Sequence, residues 1–126
     1  MRIIVLLAVV SAVAARPDAD FYDKKYENFN AKELASNDRL LHSYSLCILG
    51  KGKCTPEGND FKDWTPEAIQ TNCGKCTEKQ KSLIAEVIKA VREKLPNDWE
   101  ELTQKYNPSG QHTEDLNQFI KQYAPN

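Results

Sequence analysis

Several features are scarce or missing in this chain of 126 residues, and each absence removes a class of function. No run of Lys and Arg exceeds two residues, and 17 basic side chains stand against 18 acidic ones. Nucleic-acid recognition needs a clustered basic excess, and a polybasic membrane anchor needs adjacent cations, so neither is expected. No stretch alternates apolar and polar residues over the length of a strand, which leaves a sheet with no hydrophobic face to bury. No Asn-x-Ser/Thr acceptor occurs, because Asn107 is followed by Pro108, and an N-linked glycan is not expected. Histidine is limited to His42 and His112, neither beside a Cys or Ser motif, and Ser82 and Ser109 lack a nucleophile elbow. These scarcities argue against a catalyst.

The longest apolar run lies at the N-terminus. Arg2 precedes Ile3 to Val10, the run continues through Ser11, and a small-residue site follows at Ala12-Val13-Ala14 before Arg16-Pro17-Asp18. About thirteen apolar residues fall short of the roughly twenty that span a bilayer. A basic start, a short apolar centre and an A-x-A exit describe a secretory signal peptide over residues 1–15, with cleavage around Ala14 to Arg16. Its removal takes Arg2 out of the basic count and leaves the rest, residues 16–126, at a net charge of −2. That length suits one domain with a modest core.

The remaining pattern is helical. Asn30-Ala31-Lys32-Glu33 is an Asn variant of the capping box and opens a short helix to about Ser36. Leu40, Leu41, Tyr44 and Ile48 then fall at helical spacing until Gly50 and Gly52. Thr55-Pro56-Glu57 is a helix start, and the same signature recurs at Thr65-Pro66-Glu67. One helix kinked at Pro66, or two short ones in series, would put Phe61, Trp64, Ala68 and Ile69 inward. Thr77-Glu78-Lys79-Gln80 is a full capping box; it opens a stripe of Leu83, Ile84, Val87, Ile88, Val91 and Leu95 that ends at Pro96. Asn97 with Glu100 is read as the next cap, for a helix with Trp99, Leu102 and Tyr106 on one face. Asn107 to Gly110 is a turn, and Thr113 starts a last helix presenting Leu116, Phe119, Ile120 and Tyr123. Residues 20–30, rich in rings but without a period, read as an extended arm laid over the domain. The expected fold is all-α, with about six short amphipathic helices.

Four cysteines stand in the order Cys47, six residues, Cys54, eighteen residues, Cys73, two residues, Cys76. In an oxidising compartment an even count implies disulfides, and the spacing alone leaves three pairings open. Bridges between neighbours would close small loops and stabilise by roughly 2 to 2.5 kcal/mol each on the loop-entropy model. Zinc is disfavoured by the wide first gap and by oxidation. The Cys73-Gly74-Lys75-Cys76 run resembles a redox dithiol, but such motifs follow a strand, and none is expected here.

Taken together, several motifs make the chain resemble the insect chemosensory proteins over its whole length beyond the signal. They are the cysteine spacing, Tyr26-Glu27-Asn28, Asn37-Asp38-Arg39-Leu40-Leu41 followed by Tyr44, and Gly52 to Gly58 with its Cys-Thr-Pro-Glu centre. Pro66-Glu67-Ala68, Cys76 to Lys81, and Trp99 with Lys105-Tyr106 complete the set. The resemblance implies six helices around an apolar channel and disulfides Cys47–Cys54 and Cys73–Cys76. It implies reversible binding of long-chain fatty acids, alcohols, esters or similar semiochemicals, with contacts at Tyr26, Leu41, Tyr44, Ile84, Val87, Val91 and Trp99. The chain departs from the family at Thr65, where Leu is frequent before the proline, at Asn107, where Asp is usual, and at Gln111-His112, often aromatic.

The residues support a container independently. A stripe such as Leu83 to Leu95 is by default ordinary core, but rings with polar tips at Tyr26, Tyr44 and Trp99 suit a head group while aliphatic walls take a tail. The expectation is a secreted monomer that binds a hydrophobic small molecule, without cofactor, metal, nucleic acid or membrane insertion, and without enzymatic activity. The rival is a secreted protein-interaction or developmental factor on the same scaffold; a small hydrolase or oxidoreductase would need a constellation the chain does not show.

Overall fold

Short polar side chains set where most of the helices begin. The computed structural model describes Tyr22 and residues 24–125; the expected signal peptide lies outside them. Helix α1, Ala31–Ser36, is capped by Asn30, whose side chain accepts from Glu33 N–H at 3.0 Å. Asn37 ends α1 and, by accepting from Leu40 N–H at 3.1 Å, starts α2, Asp38–Leu49. Gly50 terminates α2 at φ 81°, a left-handed conformation that costs a residue with a Cβ but not glycine. Thr55 caps α3, Pro56–Gln70, and the reciprocal bonds of Thr77 and Gln80 form the capping box of α4, Glu78–Lys94. Helices α5, Pro96–Tyr106, and α6, Thr113–Tyr123, complete the bundle, and no strand occurs among the described residues.

Three local readings resolve differently or more sharply. The arm is not wholly extended: Lys24–Asn28 coil into a 3-10 turn, which lets the rings of both Tyr22 and Tyr26 reach the interior. Helix α3 runs continuously through Pro66. Its second cap signature is unused there, because the Thr65 hydroxyl donates back to the Phe61 carbonyl at 2.6 Å instead of accepting from a following N–H. Asn97 does not cap α5. That helix starts at Pro96, which has no N–H to satisfy and a φ already suited to a first turn. Asp98 is thereby turned inward, where its Oδ2 lies 2.6 Å from His42 Nδ1 and ties α5 to α2.

Helix α4 is the spine, packing against α1, α2, α5, α6 and the 3-10 turn. Two buried clusters flank it. One gathers Tyr22, Cys73, Cys76, Ala85 and Phe119; the other gathers Leu34, Ala35, Leu41, Ala90 and Val91. Helix α3 leans instead on α2 and α5. The disulfides are Cys47–Cys54 and Cys73–Cys76, as the resemblance implies, each closing a loop between consecutive helices. Gly58 sits against the first bridge, since a Cβ there would come within 3.0 Å of Cys47 Sγ. The end of α2 is stitched to α5 by Lys105 and Tyr106, which donate to the carbonyls of Leu49 and Ile48 at 3.0 and 2.7 Å.

Candidate functional site: an apolar cavity between α3 and α4

Because α3 stands on α2 and α5, space remains between it and the spine. A cavity of about 240 Å³ occupies that space, a little below the usual range for ligand pockets. Helix α3 contributes Phe61, Trp64, Ala68 and Ile69, and α4 contributes Leu83, Ile84, Val87 and Ile88. Trp99, Leu102 and Tyr106 enter from α5, Tyr44 and Ile48 from α2, and Leu116 and Phe119 from α6. The 3.6-residue period of each amphipathic helix puts these side chains on one face, so several narrow stripes combine into one apolar wall.

Rings dominate one side. Tyr22 stacks on Trp64 with centroids 4.4 Å apart and planes at 14°, and Tyr26 meets Trp64 and Phe61 edge-on at 5.4 and 5.2 Å. Phe29 continues the series onto Phe61 at 5.2 Å and Tyr44 at 6.2 Å. Trp64 therefore lines the cavity, held in place by the arm. The phenol of Tyr22 donates to Glu67 at 3.2 Å, and that of Tyr26 donates to Asp60. Burial, with the hydrogen bond and the charge of Glu67 adding to it, pushes the Tyr22 phenol up to about 12. Burial also raises Tyr106 above the ordinary phenol value.

Of the residues expected at the site, Tyr26, Tyr44, Ile84, Val87 and Trp99 come together in the wall. Leu41 and Val91 do not line it; they are 1% and 5% exposed and pack with Leu34, Ala35 and Ala90. Both lie on the helical stripes that supply the wall elsewhere, but α1 crosses α2 and α4 at that level and covers them. Leu34 of α1 takes their place facing the cavity. No periodicity in α2 or α4 signals this, because the cover comes from another helix. Gln80, whose place in the sequence signals only a cap, is both a cap and a buried part of the wall.

The cavity also has a polar rim. Asn72, Thr103, Asn107, His112 and Asp115 border it, and a more polar recess shares Tyr106, Asn107 and His112 with it. Buried Asn107 organises this rim: its Oδ1 accepts from His112 N–H at 3.0 Å and its Nδ2 donates to Thr113 Oγ1 at 3.1 Å. Asn72 and Cys73 reach the rim with φ of 55° and 64°, left-handed values that cost a non-glycine residue on the order of 1 kcal/mol each. No group of His, Cys, Asp and Glu among the described residues is arranged to hold a metal ion.

Fold and site define a class: a small all-α bundle, locally stapled by two disulfides, built around an apolar chamber. The chain belongs to the insect pheromone-binding family A10/OS-D, whose family model matches residues 22–114. It is 42% identical over 115 residues to the allergen Tha p 1 of Thaumetopoea pityocampa, covering 90% of each chain. It is 39% identical over 108 residues to ejaculatory bulb-specific protein 3 of Drosophila melanogaster, covering 86% of this chain and 85% of the other. Among solved structures, a chemosensory protein in complex with bromo-dodecanol is similar with a TM-score of 0.70 at 39% identity, over 75% of this chain and 95% of that one. The antennal chemosensory protein A6 of the moth Mamestra brassicae is similar with a TM-score of 0.65 at 38% identity, over 79% and 93%.

Proposed function

We propose that this protein is a secreted, non-enzymatic carrier of long-chain hydrophobic small molecules. Fatty acids, alcohols, esters and related semiochemicals are the classes that fit, held in the cavity between α3 and α4. The observation that carries the reading is the cavity itself, a space of about 240 Å³ with aliphatic and aromatic walls where a bundle of this size would otherwise be packed solid. The similar chemosensory protein bound to bromo-dodecanol supports it. Tyr26, Tyr44, Ile84, Val87 and Trp99 are the proposed contacts, joined by Leu34 and Trp64. Each methylene taken from water contributes roughly 0.8 kcal/mol, so about ten offset the cost of association and leave micromolar affinity. The signal peptide at residues 1–15 would deliver a monomer to the extracellular fluid. Among the described residues, no helix is long and apolar enough to cross a membrane.

The test is displacement of the fluorescent probe phenylnaphthylamine from the oxidised protein by a homologous series of alcohols. Saturable competition that strengthens with chain length, with a change in emission from Trp64 or Trp99, is the expected result. Failure of every chain length to displace the probe would overturn the reading.

A further inference from the structure

The carrier reading leaves open which head group the cavity accepts, and the charges around it bear on that choice. None of the residues lining the cavity is a Lys or Arg, and the carboxylate among them is Asp115. The phenols of Tyr22 and Tyr26 are already turned to carboxylates, Glu67 and Asp60. At the rim, Gln111 Nε2 lies 3.1 Å from His112 Nε2. Of the neighbouring lysines, Lys75 pairs with Glu67 at 3.1 Å, and Lys105 donates to the Leu49 carbonyl while its ammonium lies 5.5 Å from the centre of the Tyr106 ring.

Helix ends bear on the choice as well. The C-terminal end of α3 leads into Asn72 and Cys73 of the wall, and the C-terminal end of α5 brings Tyr106 and Asn107 there. Both ends carry the negative pole of a helix dipole, offset in α5 by Lys105 of its last turn and not offset in α3. Two positive poles also arrive: that of α4, whose first turn brings Gln80 to the wall and carries Glu78, and that of α6, whose first turn carries Glu114 and Asp115. A head group at this rim meets no Lys or Arg in the lining, and the carboxylate there is Asp115.

We propose that the cavity selects neutral-headed chains, alcohols and esters, over carboxylates of equal length, and that Asp115 sets part of that preference. The proposal rests on the carrier reading above. A carboxylate entering here either stays ionised without a cation or takes up a proton. Protonation costs a factor of ten for each pH unit above an ordinary carboxyl value of about 4.3. A head left at the wet rim escapes part of that penalty, which brings the expected discrimination to about tenfold at pH 8.

The experiment is competition at pH 8 against phenylnaphthylamine by dodecanol, dodecanoate and dodecyltrimethylammonium. Dodecanol should compete about tenfold better than dodecanoate, and dodecyltrimethylammonium should also exceed dodecanoate. In Asp115→Lys the ratio of dodecanol to dodecanoate should narrow to about threefold or less, with Asp115→Asn between. Equal competition by alcohol and carboxylate, or a ratio unmoved by both substitutions, overturns the proposal while the carrier reading stands. If no member of the set displaces the probe, the carrier reading falls and this one with it.

Discussion

The phenol of Tyr22 lies under the Trp64 ring with its hydroxyl on Glu67, and these surroundings oppose its ionisation. In the unfolded chain a tyrosine loses its proton near pH 10, whereas the folded protein holds the Tyr22 proton to about 12. The folded state therefore binds more protons in that interval. Its contribution to stability is fully present below about pH 10 and is lost as the pH rises through about 12. Tyr106, raised by burial, acts with the same sign. Ultraviolet titration of tyrosinate should show phenols ionising well after the exposed ones, and Tyr22→Phe should make stability fall less steeply over this range. All five tyrosines titrating together near pH 10 would contradict it. Tyr22 stood in the sequence only as one ring of an aperiodic arm; its place against Trp64 and Glu67, both more than forty positions away, is a tertiary fact.

Among the elements, α4 bears the most weight, since four other helices and the arm pack on it. Its start depends on one reciprocal pair of bonds between Thr77 and Gln80, at 3.2 and 3.0 Å. Thr77→Ala removes the cap acceptor and should cost about 1 kcal/mol, lowering the thermal midpoint by roughly 4–8 °C for a domain of this size. An unchanged melt would show that the cap is dispensable. Such local chemistry was legible: the caps at Asn30, Thr55 and Thr77 and the stop at Gly50 all stand where the residues place them. The failure at Asn97 has an equally local cause. Two start signals stood side by side, and Pro96, with its φ preset, began the helix before Asn97 could act as a cap.

On the scale of the whole molecule, both disulfides close short loops, with sequence separations of 7 and 3, so neither cross-links helices distant in the chain. Beyond the corner that Cys73–Cys76 closes, the spacing of α3 from α4 is set by side-chain packing on α2 and α5. The bundle should therefore adjust to ligands of different length. Hydrogen exchange with and without dodecanol should show altered protection in α3 and α5, the helices that face the cavity across from the spine. Identical exchange in the two states would mean a rigid container.

The residues by themselves determined the helical class, most helix boundaries, and which face of each helix is apolar. These follow from caps, breakers and a 3.6-residue period, all of which act within a few positions along the chain. They also carried enough of a family pattern to anticipate both disulfides. What periodicity could not distinguish is an apolar face that meets another helix from one that meets a hollow, because both demand the same side chains. Leu41 and Val91 share stripes with Tyr44 and Val87, yet α1 buries the first pair while the second faces the cavity. That division, like the polar rim of Asn107, His112 and Asp115, was decided only when helices far apart in sequence were brought together, since burial is a property of neighbours and not of the residue.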